Sequence, residues 1–439
     1  MRCQSSVGKQ GSLKSINIIY QYMSQKRIYL CLAHMSEAGL EQKYIKEAFD
    51  TNWVVPLGPN VNAFEKDLAQ YVGEDKHVVA LCSGTAAVHL GLLALGVGRG
   101  DEVLVQSFTF CASTHPITYL GATPVMVDSE KDTWNMDPQL LEEAIQDRIR
   151  KTGRKPKAIV PVYLYGMPAR IDEIMEIAAR YEIPVVEDAA EGFGSRYKGR
   201  VVGTFGEYGV LSFNGNKMIT TSGGGALVCP NEAARDKIMW YATQAREAYP
   251  YYQHEAIGYN YRLSNICAGI GRGQMTIVDE HIAHHRRIAQ MYEEAFRDVD
   301  GITFHAEPAG GDFKSNYWLS TITLDPQLRV CHEERAYAEA IKGAIGGAAG
   351  VVHGGGSIHT DCEPNRNVEA MRLALDAEAI ESRPLWKPMH KQPVYCDVPI
   401  YANGVSEEIF KCGLCLPSGP MVSDEDVRRI IETIRECIN

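Results

Sequence analysis

The chain has 439 residues, 45% hydrophobic and 23% charged, with 44 Lys and Arg against 55 Asp and Glu and a net charge of −11. That acidic balance excludes a protein built to displace phosphate counterions from nucleic acid, and no apolar run reaches the roughly 18 residues of a membrane helix. Its twelve cysteines lack the spacing of a secreted disulfide framework, so the composition predicts a soluble cytoplasmic enzyme of two or three packed units.

Residues 1–25 are expected to form a disordered tail. Arg2, Lys9 and Lys14 stand there among Ser and Gln, and the apolar run Ile16 to Tyr20 is too short for a signal peptide. Met23 is a candidate functional start. From Thr51 onward the chain becomes rhythmic. Val78 to Cys82 predicts a strand, Ser83-Gly84-Thr85 punctuates it, and Ala86 to Leu95 has the composition of a buried helix. The next strands are predicted at Glu102 to Gln106, Thr123 to Val127, Ile159 to Leu164 and Ile183 to Glu187. Helices between them fall at Pro116 to Leu120, Pro138 to Ile149, and a stretch with Ile171, Ile174, Met175, Ala178 and Tyr181 on one face. Such alternation predicts an α/β domain with a mostly parallel central sheet flanked by helices, over 26–275.

A smaller α+β domain is expected over 276–439. It contains a charged helix at Asp279 to Ala295, a strand at Trp318 to Leu324 and a mobile Gly-rich loop at Gly343 to Gly356. The last helix, Asp424 to Ile438, turns Val427, Ile430, Ile431 and Ile434 to one side. Ser423 and Asp426 form a capping-box pattern ahead of it.

Three features bear on chemistry. Ser83-Gly84-Thr85-Ala86 lies between strand and helix, where free amides can cradle a phosphate; taken alone, it reads better as a helix cap after a tight turn. Val185 to Glu191 places Glu187, Asp188 and Glu191 at the C-terminal end of a buried strand, the side of an open α/β sheet that faces ligands. A desolvated carboxylate there needs a cation beside it, and with no histidine in the segment a metal site is disfavoured. Lys217 follows Ser212 in a small, polar loop that leads into Gly223-Gly224-Gly225. In a dry pocket such a lysine becomes a nucleophilic amine; alone, it would be a surface lysine. Cys412 and Cys415 have zinc-ribbon spacing but no second pair at matching distance. A phosphate cradle, an acid and a lysine 29 residues further on (217 − 188) together meet the needs of pyridoxal phosphate (PLP).

The same residues carry a resemblance. Gly58-Pro59, Phe64-Glu65, Ser83 to Ala87, Gly100 to Val103, Thr109-Phe110, Gly121 to Pro124 and Tyr165-Gly166 follow one another in order. After them come Glu187 to Ala190, Ser212-Phe213 ahead of Lys217, Gly258 to Arg262, and Glu381 to His390. This series resembles the DegT/DnrJ/EryC1/StrS sugar-nucleotide aminotransferases, and it runs from about Gly58 to Ile434. The resemblance implies a fold-type I PLP-dependent transferase, a homodimer with shared active sites. It gives Lys217 the internal aldimine and the proton shuttle, Asp188 the pyridinium nitrogen, Glu191 the phenolic oxygen and Phe110 the stacking face. Ser83, Gly84, Thr85 and Ser212 would hold phosphate, with Asn260 reaching in from a second subunit. Tyr163, where many relatives have His, would face the substrate together with Arg262 and His390.

The implied reaction moves an amino group from L-glutamate to C4 of a nucleotide-linked keto-sugar. UDP-4-keto-6-deoxy-N-acetylhexosamine is the expected acceptor, in surface-glycan biosynthesis. A C3-aminating sugar or cyclitol aminotransferase of the same family is the alternative. Lys217 argues against the dehydratase branch, which has histidine there. A PLP-binding regulator is the reading from another class, and the acidic balance opposes it.

Overall fold

The computed structural model describes residues 26–73, 75–337 and 362–438. The expected tail over 1–25 and the Gly343 to Gly356 loop lie outside the described residues. Among the described residues, the main sheet is built on β1 (His77–Leu81), β2 (Glu102–Gln106), β3 (Thr123–Val127), β4 (Ala158–Val160), β5 (Val186–Asp188), β6 (Tyr208–Ser212) and β7 (Gly225–Cys229). Hydrogen bonding orders them β1-β7-β6-β5 and β4-β2-β3. Parallel bridges Ile159 to Val185 and Val162 to Asp188 join the two halves. Only β7 runs antiparallel to its neighbours; the other pairs are parallel. The mostly parallel sheet is therefore as expected.

Its strands are buried on both faces, which is why they read as nearly continuous apolar runs. Side chains alternate between two cores: Leu104, Val125 and Val127 on one side, Val103, Val105 and Met126 on the other. The predicted strand Ile159 to Leu164 is shorter than its apolar run because Pro161 has no N–H to continue the ladder.

The helix Val278–Phe296 leads into the smaller unit. There the strands Ile302–Phe304, Ser320–Leu324, Gly413–Leu416 and Arg383–Pro384 form an antiparallel sheet in that order. Helices Arg366–Ala377 and Asp424–Cys437 pack on it. The latter opens with the expected capping box: Ser423 Oγ accepts from the Asp426 N–H, and the Asp426 carboxylate accepts from the Ser423 N–H.

Sequence position does not separate the two units at 275. Ile28 bridges Ile380 and belongs to the small core. In the other direction, Ile400–Tyr401 pairs in parallel with Met126 and Val127 of β3 and so extends the main sheet at its edge. Met389 and Tyr395 lie in the large core.

Candidate active site

Because β1, β5 and β6 run in one direction, the residues that follow them meet at the same edge of the sheet. β1 ends ahead of Ser83, whose Oγ accepts from the Ala86 N–H at 3.0 Å and starts the helix Gly84–Ala94. β6 ends in Ser212, and Gly225 of β7 pairs with both Leu81 and Ser212. The three segments come this close only because two residues lack side chains. A Cβ on Gly84 would stand 3.1 Å from Ser212 Cβ, and one on Gly225 would stand 2.4 Å from the Gly84 nitrogen. The Gly84 and Thr85 amides at the first turn of this helix, with the Ser212 hydroxyl beside them, leave donors of the kind that can cradle an anion.

β5 delivers the carboxylates. Asp188, 4% exposed, accepts from Ser113 Oγ at 2.6 Å and from the Ala190 N–H at 3.1 Å. Burial pushes its pKa above the usual aspartate range, against the pull of these donors and of Lys217. Glu191 is likewise pushed up by burial, with Lys217 as the main opposing influence, and it accepts from the Tyr165 N–H at 2.8 Å. Glu187 turns elsewhere. It accepts from the Tyr163 hydroxyl and from the Gly203 and Gly206 amides, so it is a structural carboxylate.

Lys217 lies in the loop between β6 and β7. Its Nζ is 3.4 Å from Glu191 Oε1 and 3.8 Å from the centre of the Trp318 ring. A cavity of about 340 Å³ collects these groups: Ser83, Gly84, Thr85, Phe110, Asp188, Glu191, Ser212, Lys217 and Trp318 all line it. Phe110 is 48% exposed, with Trp386 at 5.4 Å between ring centres. The set fits pyridoxal phosphate on the structure's own terms. A buried carboxylate facing a cavity with one amine in reach has room for a cationic ring nitrogen, the glycine-built cradle suits a phosphate, and Phe110 offers a ring face.

Four predicted site residues do not line this cavity. Asn260 is exposed and bridges Thr243 on the same chain. Tyr163 is fully buried with its hydroxyl committed to Glu187, so the expectation that it meets substrate is corrected. The Arg262 guanidinium is engaged within the chain, held by both oxygens of Glu65 and by the Ala80 carbonyl. His390 is bonded through Nδ1 to Ser107 Oγ at 2.7 Å and through Nε2 to Glu407 at 3.2 Å. For Tyr163, Arg262 and His390 the sequence showed a polar group and the fold supplied an internal partner for it. Ser113 and Trp318 were missed. Ser113 lies in a short 3-10 turn with no periodic signal, and Trp318 read as the start of a strand.

Comparison with known proteins gives a consistent result. The model of the DegT/DnrJ/EryC1/StrS aminotransferase family matches residues 36–349 and 355–435. The chain is 45% identical to EpsN of Bacillus subtilis (strain 168), whose name describes a pyridoxal phosphate-dependent aminotransferase, over 93% of this chain and 95% of that protein. It is 34% identical to GDP-perosamine synthase of Escherichia coli O157:H7, over 93% and 98%. Among solved structures, a DegT DnrJ EryC1 StrS aminotransferase from Brucella abortus superposes with a TM-score of 0.77 at 28% identity, over 91% of this chain and 95% of that one.

Proposed function

We propose that this chain, which belongs to the DegT/DnrJ/EryC1/StrS aminotransferase family, moves an amino group from L-glutamate to C4 of UDP-4-keto-6-deoxy-N-acetylhexosamine. Sugar amination is the family's chemistry; the donor, the nucleotide and the carbon are our reading. The observation that carries the amino transfer itself is Lys217 Nζ, 3.4 Å from Glu191 and in one cavity with Asp188 and the Gly84-Thr85-Ser212 cradle.

Pyridoxal phosphate, when bound, supplies the electron sink that lets an amino group leave one carbon and join another. Lys217 presents the amine, and its Nζ is the atom that takes a proton from one substrate carbon and returns it to the other. Asp188, buried and held by Ser113 and Ala190, keeps the ring nitrogen protonated by opposite charge. The Trp318 ring covers Nζ on one side and limits water there. Gly84, Thr85 and Ser212 anchor the phosphate, and Asn260 of a second copy adds donors to it in a homodimer. Among the described residues no helix is long and apolar enough to cross a membrane, which is compatible with work in the cytoplasm on a soluble nucleotide sugar.

The test is a panel of keto-sugar nucleotides incubated with L-glutamate and PLP-loaded protein, the products read by NMR. Amination at C4 of the UDP-linked 4-keto-6-deoxy-N-acetylhexosamine is expected. Turnover confined to a GDP-linked sugar, to C3 or to a cyclitol would replace this reading.

A further inference from the structure

The loop that carries Lys217 closes on itself at two points: the Lys217 N–H donates to the Asn214 carbonyl at 3.0 Å, and the Thr221 N–H to the Phe213 carbonyl at 2.9 Å. Three intervening backbone groups are met from outside the loop, the first being the Asn216 carbonyl, which accepts from Trp318 Nε1 at 2.6 Å. His281, on the helix Val278–Phe296, bonds through Nδ1 to the Met218 carbonyl at 3.0 Å. Gln274, near the end of the helix Asn265–Met275, accepts from the Thr220 N–H at 3.4 Å. Met218 and Thr220 are 3% and 4% exposed, so water cannot replace either partner.

These two side chains are themselves fixed. A carbonyl can only accept, so Nδ1 of His281 carries the hydrogen, and Nε2 of the neutral ring is left as an acceptor 3.4 Å from His34 Nδ1. Burial holds His281 below the ordinary histidine value, which keeps that neutral form. Gln274 Nε2 donates to Glu41 Oε1 at 2.7 Å and to the His34 carbonyl at 2.9 Å. Glu41 is in turn gripped by the N–H and hydroxyl of Ser36 at 2.9 and 2.6 Å. An unbroken polar network thus runs from residues 34–41 to the positions one and three places after Lys217.

We propose that His281 and Gln274 are positioning residues that hold Lys217 Nζ against Glu191 and Trp318, acting through the Met218 carbonyl and the Thr220 N–H. Neither lines the cavity. The inference rests on the reading of Lys217 as the reacting amine. Misplacing a reacting group slows the chemical step far more than it weakens substrate binding, whereas a merely structural contact would lower stability alone.

His281→Leu removes the donor at similar bulk, and His281→Asn returns an N–H near the place of Nδ1. The leucine variant should lose about tenfold or more in kcat with KM for both substrates within about threefold, and asparagine should recover most of that loss. In the PLP-free protein, hydrogen exchange over residues 213–222 should quicken in His281→Leu and slow again in His281→Asn. Should the leucine chain fail to fold, Glu41→Gln carries the test, with a smaller loss of the same kcat-only kind. A lower Tm with unchanged kcat, or a kcat loss that asparagine does not repair, overturns the proposal. Failure of wild-type protein to transfer an amino group at all would instead overturn the function on which it rests.

Discussion

Lys217 is the one basic side chain among the described residues that line the cavity, so no neighbour can take over its amine. Lys217→Ala should lower turnover by roughly a thousandfold or more while circular dichroism and Tm stay near wild type; turnover within about tenfold would refute the assignment. Asp188 adds a dependence on pH. Burial raises its pKa, so the PLP-free fold binds more protons there than the unfolded chain does. Its contribution is most favourable below the ordinary aspartate range and is lost as pH rises through the folded value, by about 1.4 kcal/mol for each tenfold difference in proton affinity between the folded and unfolded chain. Without PLP, Asp188→Asn should therefore compare better with wild type in Tm at pH 8 than at pH 4. Turnover of the PLP-loaded variant should still fall by orders of magnitude, since an amide cannot balance a cation. An unchanged Tm difference across that range would mean that folding leaves the proton affinity of Asp188 unshifted. Residue identity at these two positions was legible because a strand end and a Gly-rich loop constrain what each can be. The partners of Tyr163, Arg262 and His390 were not legible. Glu65 lies 197 residues from Arg262 and Ser107 lies 283 from His390, and no local pattern encodes such pairings.

Elements whose two faces are both buried announced themselves, and β2 and β3 have the predicted bounds residue for residue. β6 was harder to see, because Tyr208 and Gly209 dilute its apolar run and its end merges into the lysine loop. Ile400–Tyr401 could not be seen at all: two residues carry no period, and only the β3 edge makes them a strand. Helix ends were legible where a cap side chain marks them. Ser423 is the clearest case, with both bonds of its capping box formed. Ser423→Ala should cost about 1 kcal/mol, measured by urea denaturation, with kcat and KM unchanged. No loss would mean that helix packing alone fixes that terminus through Val427, Ile430 and Ile434.

At the scale of the whole molecule, the proposed homodimer has Asn260 of a second copy completing the site. Asn260 is exposed, and near it in the chain Tyr251, Tyr252 and Ile257 are 60%, 76% and 81% exposed. Mixing inactive Lys217→Ala and Asn260→Asp proteins under subunit exchange should restore up to about a quarter of wild-type activity. That is one intact site in each hybrid dimer, with half of all dimers hybrid. No recovery after confirmed exchange would place all cofactor donors on one chain. The crossing of Ile400–Tyr401 into the main sheet also has a consequence for synthesis on the ribosome. β3 leaves the tunnel with an open edge, and the strand that covers it follows about 270 residues later, roughly 14–55 s at ~5–20 residues per second. During that interval Met126 and Val127 present unpaired backbone to any other nascent chain. A chain stopped at residue 275 makes the interval permanent and should collect in the insoluble fraction. Recovery of soluble, monomeric 26–275 would show that the edge tolerates exposure. Full-length yield should accordingly depend on how quickly the ribosome reaches Tyr401, and slow codons placed between β3 and that strand should lower it.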